Sequence, residues 1–129
     1  MTRQFIKVER TLTQTEFDLF AKLSGDDNPI HIDPVFSAAT RFGRTVAHGM
    51  LLSSVFRGLL HQLSPKSQFL DHELMFPAPT FAGEPMKFSV QIVKGDSGAT
   101  SAIMRCTRIA DDVVTCTAKS RLTIGGTTA

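Results

Sequence analysis

Apolar positions recur at helical spacing through the first sixty or so residues and alternate beyond Ser67, so the chain reads as a mostly helical half followed by a β half. Phe5-Ile6-Lys7-Val8-Glu9-Arg10 alternates and predicts an opening strand. Thr13-Gln14-Thr15-Glu16 has the form of a capping box, with Thr at the N-cap and Glu three residues on. The helix it opens places Phe17, Phe20, Ala21 and Leu23 on one side, and Gly25 is its expected stop. Asp33-Pro34 predicts a second cap with Pro at the first helical position, opening a short helix to about Phe42 that ends at Gly43.

From His48 to about Leu63 the pattern is helical and unusually apolar: Met50, Leu51, Leu52, Val55, Phe56, Leu59, Leu60 and Leu63 form a stripe too wide for an ordinary surface helix. This helix is expected to be mostly enclosed, with Ser53, Ser54 and Gly58 letting neighbouring backbone come close and Ser64-Pro65 ending it. The strands that follow are expected at Gln68–Phe76, Pro85–Lys94, Ala99–Ile109 and Val113–Ile124. Between them lie turn compositions at Pro77-Ala78-Pro79, Gly95-Asp96-Ser97-Gly98 and Ala110-Asp111-Asp112. Long strands joined by short turns make an antiparallel meander. The fold class expected is α+β, one long helix wrapped by a curved antiparallel sheet of about five strands, in one domain over residues 1–129.

Composition narrows the function. Hydrophobic residues make up 42% and charged residues 20%, as in an ordinary globular protein. The small polar run Gly125-Gly126-Thr127-Thr128-Ala129 is expected to be a frayed tail. A formal net charge of +2, with Lys and Arg scattered, makes no basic stripe for nucleic acid. No apolar run approaches the roughly 18 residues needed to span a bilayer, and no secretory pattern opens the chain. The expectation is an intracellular soluble protein, in a cytoplasm or a mitochondrial matrix. Cys106 and Cys116 flank the Asp111-Asp112 turn; a cross-strand disulfide is conceivable, but thiols inside cells are normally kept reduced. Tyr is absent, which removes any tyrosine acid and leaves four histidines: His31, His48, His61 and His72.

Candidate chemistry concentrates between Ser24 and Met50. Asp26 and His31 share one Pro-stiffened turn, and a carboxylate and an imidazole are the groups needed to activate a water. Taken singly, Asp26 reads as a turn residue and His31 as a core histidine; the His48-Gly49 helix start downstream gives the set its meaning. A side chain that caps would be ordinary there, whereas Gly49 offers a bare amide to a ligand oxygen. His48, awkward as a cation at the positive end of a helix, reads as a neutral positional residue. Asp26, His31, Asp33 and His48 lack metal-ligand spacing, and neither a nucleotide-binding glycine loop nor a Gly-x-Ser-x-Gly elbow is present. No metal and no cofactor is expected. His61 and His72 read as solvated or capping residues, with Arg57 and His61 on the wetter face of the long helix.

The segment Phe20-Ala21-Lys22-Leu23-Ser24-Gly25-Asp26-Asp27-Asn28-Pro29-Ile30-His31-Ile32-Asp33, followed by Ala47-His48-Gly49-Met50-Leu51, closely resembles the hydratase-2 motif of MaoC-like dehydratases. These comprise the (R)-specific enoyl-CoA hydratases and related 3-hydroxyacyl-thioester dehydratases. The resemblance implies a hot-dog fold, a homodimer, and an acyl-CoA or acyl carrier protein thioester as substrate, with the acyl chain in a tunnel near the subunit interface. By position it implies Asp26 and His31 as the catalytic pair, Asn28 as a supporting polar residue and Gly49 as oxyanion donor. Nucleic acid and membrane are not implied as partners. One departure stands out: many bacterial members carry Ser where this chain has Arg57. Two rivals stay open, an acyl thioesterase and a non-catalytic subunit of a heterodimeric dehydratase.

Overall fold

A computed structural model describes residues 4–95 and 98–123. The expected tail from Gly125 to Ala129, the final position of the last expected strand (Ile124), the turn residues Asp96 and Ser97, and Met1-Thr2-Arg3 lie outside the described residues.

The first strand, β1 (Phe5–Thr11), leads into α1 (Gln14–Ser24) through the expected capping box, in which Thr13 Oγ1 accepts from Glu16 N–H and Glu16 Oε1 accepts from Thr13 N–H. Gly25 ends α1 at φ +81°, a left-handed conformation that favours glycine. Two single-turn helices follow, α2 (Pro29–Ile32) and α3 (Pro34–Ala38), capped by Asn28 Oδ1 on Ile30 N–H and by Asp33 Oδ1 on Val35 and Phe36 N–H. The long helix is α4 (Gly49–Leu63). Then come β2 (Gln68–Phe69), β3 (Glu73–Met75), β4 (Pro85–Lys94), β5 (Thr100–Arg108) and β6 (Val114–Thr123).

The sheet is antiparallel in the order β1-β4-β5-β6, with the fifth position shared by β2 and β3, both paired to β6. Alternation puts Met86, Phe88, Val90 and Ile92 of β4 inward, and the register continues them across the sheet in rows such as Phe88, Cys106, Cys116 and Val90, Met104, Ala118. A bulge between Cys106 and Thr107 turns both Thr115 and Cys116 inward. Leu52, Val55, Phe56, Leu59 and Leu60 of α4 fill this concave face, and Phe56 meets Phe88 edge to face at 5.7 Å. A helix held in a curled antiparallel sheet is the hot-dog arrangement.

Several local expectations need correction. α3 stops at Ala38 rather than near Phe42, because the Thr40 hydroxyl donates to the Ser37 carbonyl and the chain turns away. Leu23 is exposed, so the buried face of α1 is Phe17 and Ala21 with Phe20 half-covered. α4 is not enclosed all round: Met50, Ser54, Gly58 and His61 face outward, and of its small residues Ser53 is buried. The expected strand Gln68–Phe76 is broken in two. Asp71 Oδ1 accepts from Arg121 N–H at 2.8 Å and so takes the place of a backbone acceptor in the ladder.

The break turns His72 inward, contrary to its reading as a solvated or capping residue. Its Nε2 bonds Ser53 Oγ of α4 at 2.9 Å and its Nδ1 bonds Ser120 Oγ of β6 at 2.5 Å, with the ring stacked on Phe69. Two hydroxyls suit a neutral imidazole, which has one donor and one acceptor. Burial holds His72 below the ordinary histidine value, while the nearby Asp71 charge opposes that shift. The Cys106 and Cys116 thiols lie opposite one another as free, buried groups, pushed up by burial to about 11 and about 12.

Two outcomes follow. Because the unfolded chain binds the His72 proton more readily than the folded one, the stability this ring contributes above about pH 6.5 is lost as pH falls through its folded value. Urea unfolding from pH 8 to pH 5 should therefore show a steeper acid-side loss in wild type than in His72→Gln, which keeps a donor and an acceptor but does not titrate. Phe56→Ala should cost about 3–5 kcal/mol in the same assay.

Candidate active site

Each predicted site residue is held by backbone contacts rather than by chance packing. The α2 turn is tied to the approach of α4: Val46 N–H donates to Ile30 O at 2.9 Å, and Gln14 bridges His31 O and Thr45 Oγ1 at 2.9 and 2.6 Å. The Gly25-Asp26-Asp27-Asn28 bend is closed locally, with Asp26 N–H donating to Ser24 Oγ and Asn28 N–H to Asp26 Oδ1. Ala47 N–H donates to Thr80 O at 2.8 Å, which fixes the strand-like entry to α4.

His31 and His48 then stack, ring centroids 3.8 Å apart and planes 23° from parallel. His31 Nδ1 lies 2.7 Å from Val46 O, so in the neutral ring Nδ1–H is the donor and Nε2 keeps its lone pair. That Nε2 is 3.7 Å from Asp26 Oδ2. The gap is too long for a direct hydrogen bond and short enough for one water to reach both groups at about 2.8 Å. Asp26 is exposed and His31 mostly covered, with side-chain exposures of 57% and 15%.

His48 is buried, at 2% exposure, and its Nε2 lies 2.8 Å from the Asp26 carbonyl. Its Nδ1 is buried without a protein partner, and Phe20 packs on its ring at 4.9 Å. As N-cap of α4 it makes no side-chain cap bond. The amides of Gly49 and Met50 thus have no protein acceptor among the described residues, and the positive end of the helix is left open to an anion. Asn28 is drawn into capping α2, which shapes the turn between Asp26 and His31.

Donor atoms of Asp26, His31 and His48 lie within 4.8 Å of one another. Stacked imidazoles, however, send their in-plane lone pairs side by side, and a metal needs them to converge at about 2.0–2.1 Å. The trio suits a water or a substrate oxygen better than a shared ion.

Three contributors escaped the reading of the sequence. Gln14 looked like part of a cap, Val46 acts through its backbone alone, and Phe76, just past β3, lies across Gly49. A polar Gln inside a capping box was the single available hint.

A carboxylate and an imidazole thus lie across a water-sized gap, near uncapped amides at the start of the long helix of a hot-dog fold. Residues 2–114 match the MaoC like domain, and the chain belongs to that family. It is 41% identical over 91 residues, covering 69% of this chain and 68% of the relative, to the (R)-specific enoyl-CoA hydratase of Aeromonas caviae. It is 36% identical over 89 residues, covering 64% of this chain and 59% of the relative, to 3-hydroxyacyl-thioester dehydratase Z of Mycobacterium tuberculosis. The solved structure of the (R)-hydratase of A. caviae, involved in PHA biosynthesis, superposes with a TM-score of 0.86 over 97% of both chains at 31% identity.

His48→Leu, which keeps bulk but loses the Nε2–H to Asp26 carbonyl bond, should lower unfolding free energy by about 1–2 kcal/mol. Chemical denaturation checks this, and no change would mean that the bond contributes nothing.

Proposed function

We propose that this chain, acting as a single MaoC-like domain, catalyses reversible hydration of trans-2-enoyl thioesters to (R)-3-hydroxyacyl thioesters in fatty acid metabolism. The observation that carries this reading is the 3.7 Å gap between Asp26 Oδ2 and His31 Nε2 beside the open Gly49 amide. The names of the relatives supply the substrate class, and the chemistry follows from the groups.

A water held between Asp26 and His31 stands on one face of the C2–C3 double bond. Asp26 removes its proton as the oxygen bonds C3, and the π electrons move through C1 onto the thioester oxygen. Gly49 N–H donates to that oxygen at the positive end of α4, where developing negative charge is stabilised. His31 Nε2 accepts the water's other O–H and orients it, and the proton taken by Asp26 passes by way of that nitrogen to C2, so that H and OH are added and both groups end as they began. The pair rather than either residue is the acid–base unit. Dehydration runs the same steps backward.

The carrier is CoA or an acyl carrier protein. A homodimer fits the outer edge of β3, which among the described residues pairs only with β6 and leaves Met75 68% exposed. Two free buried thiols suit a reducing compartment inside the cell.

Purified protein should change the absorbance of the conjugated enoyl group of crotonyl-CoA. Asp26→Asn and His31→Ala should each lose about 10²–10⁴ in kcat while retaining the wild-type circular dichroism. Near-wild-type turnover in both variants would remove the assignment.

A further inference from the structure

Gln14 is the first residue of α1, yet the helix cap does not use its side chain: Thr13 and Glu16 complete the capping box between themselves. Its amide is engaged elsewhere. Nε2 donates to the His31 carbonyl at 2.9 Å and to Asp18 Oδ1 at 3.0 Å, and Oε1 accepts from the buried Thr45 hydroxyl at 2.6 Å. The amide fits only this way round, because the His31 carbonyl and the Asp18 carboxylate both accept and would repel Oε1.

Among the described residues, the direct hydrogen bonds from α2 to the approach to α4 all fall on Val46. Its N–H donates to Ile30 O at 2.9 Å, and its carbonyl accepts from His31 Nδ1–H at 2.7 Å. Bonds to a single residue form a hinge about which the α2 turn can swing. The His48 ring holds one face of His31 at 3.8 Å without fixing which nitrogen points where. Gln14 supplies the missing third point, since it joins the His31 carbonyl to Thr45, the residue just before Val46. Gln14 and Thr45 line neither of the cavities that open on Gly49, about 360 and 240 Å³ in volume, so neither touches a molecule bound there.

Resting on the hydratase reading above, we propose that Gln14, linked to Thr45, is a positioning residue for His31: it holds the ring as the Nδ1–H tautomer with the Nε2 lone pair toward the Asp26 carboxylate. In the reaction Nε2 accepts an O–H of the water that Asp26 deprotonates, and of the two neutral forms only the Nδ1–H one can do so. A turn that swings about Val46 lengthens the Nδ1 bond and admits the Nε2–H form, which meets the water with a donor. The swing also changes the 3.7 Å separation between Nε2 and Asp26 Oδ2. The effect falls on orientation during the reaction rather than on binding of the thioester, so kcat carries it and KM does not.

The test reads the full chain in two ways: kinetics with crotonyl-CoA, and NMR of the imidazole nitrogens at about pH 8.5, well above the ordinary histidine value. The His31 signals are those that His31→Ala removes. Gln14→Ala should lower kcat about ten- to hundredfold, leave KM within about twofold, and turn a single Nδ1–H form of His31 into a mixture of tautomers. Gln14→Glu keeps an acceptor for Thr45 and suits the first turn of a helix, which guards against a folding defect; lacking a donor for the His31 carbonyl, it should act in the same direction. Thr45→Val should do likewise, and adding it to Gln14→Ala should lower kcat by less than about twofold more, because the two residues form one link. A His31 ring already mixed in the wild type, or unchanged in both Gln14 variants, overturns the positioning role, as does a loss confined to KM or a double variant whose losses multiply. No turnover by the wild-type chain, with the tautomer change still present in the variants, removes the hydratase reading and leaves the hold of Gln14 on His31 standing.

Discussion

Everything at the site depends on where the His48 ring goes. A conventional N-cap would fold its side chain back onto the first amides of α4, worth about 1 kcal/mol to the helix. His48 instead reaches out to the Asp26 carbonyl and lays its ring on His31. One residue thereby leaves the Gly49 and Met50 amides uncapped while it touches both Asp26 and His31. The arrangement has an energetic cost, since the helix end is uncapped and His48 Nδ1 is buried without a partner.

The opposite side of the helix start is held by the segment that runs back along α4. Gly49, Ser53 and Arg57 recur at i, i+4 and i+8, which places them on one face. Phe76 rests on the first, His72 bonds the second, and Phe69 lies 5.7 Å from the guanidinium of the third. The segment also pairs with β6 on either side of its break, so it joins helix to sheet edge much as a zip joins two panels. A neutral His72 is the central tooth. An imidazole whose proton affinity burial lowers thus lies on the same segment as the ring that covers Gly49.

Much of the fold was legible because its signals are local. A capping box, a left-handed Gly25, Asp33-Pro34 and three long alternating strands each act within a few residues, and all appear in the structure. Asp26, His31 and Gly49 were legible because a carboxylate, an imidazole and an uncapped glycine are conspicuous where stability alone would choose otherwise. What stayed hidden depends on partners far along the chain. No window containing Asp71 reveals that Arg121 will take its carboxylate in place of a ladder bond, so the strand break and the inward turn of His72 were invisible. Phe76 is likewise separated from Gly49 by 27 positions, and half-exposed aromatic residues carry no sequence mark of what they touch.

The Ser-to-Arg departure at position 57 can be weighed by distance. It lies eight residues beyond Gly49, about 12 Å along the helix axis. Its guanidinium bonds the Ser67 carbonyl at 3.2 Å and leans over Phe69, at the far end of the segment from Phe76. It bounds neither cavity that touches Gly49. The cation therefore acts on the anchoring of β2, away from Asp26 and His31. Its charge is satisfied by a carbonyl and an aromatic face, both of which a serine would leave unused.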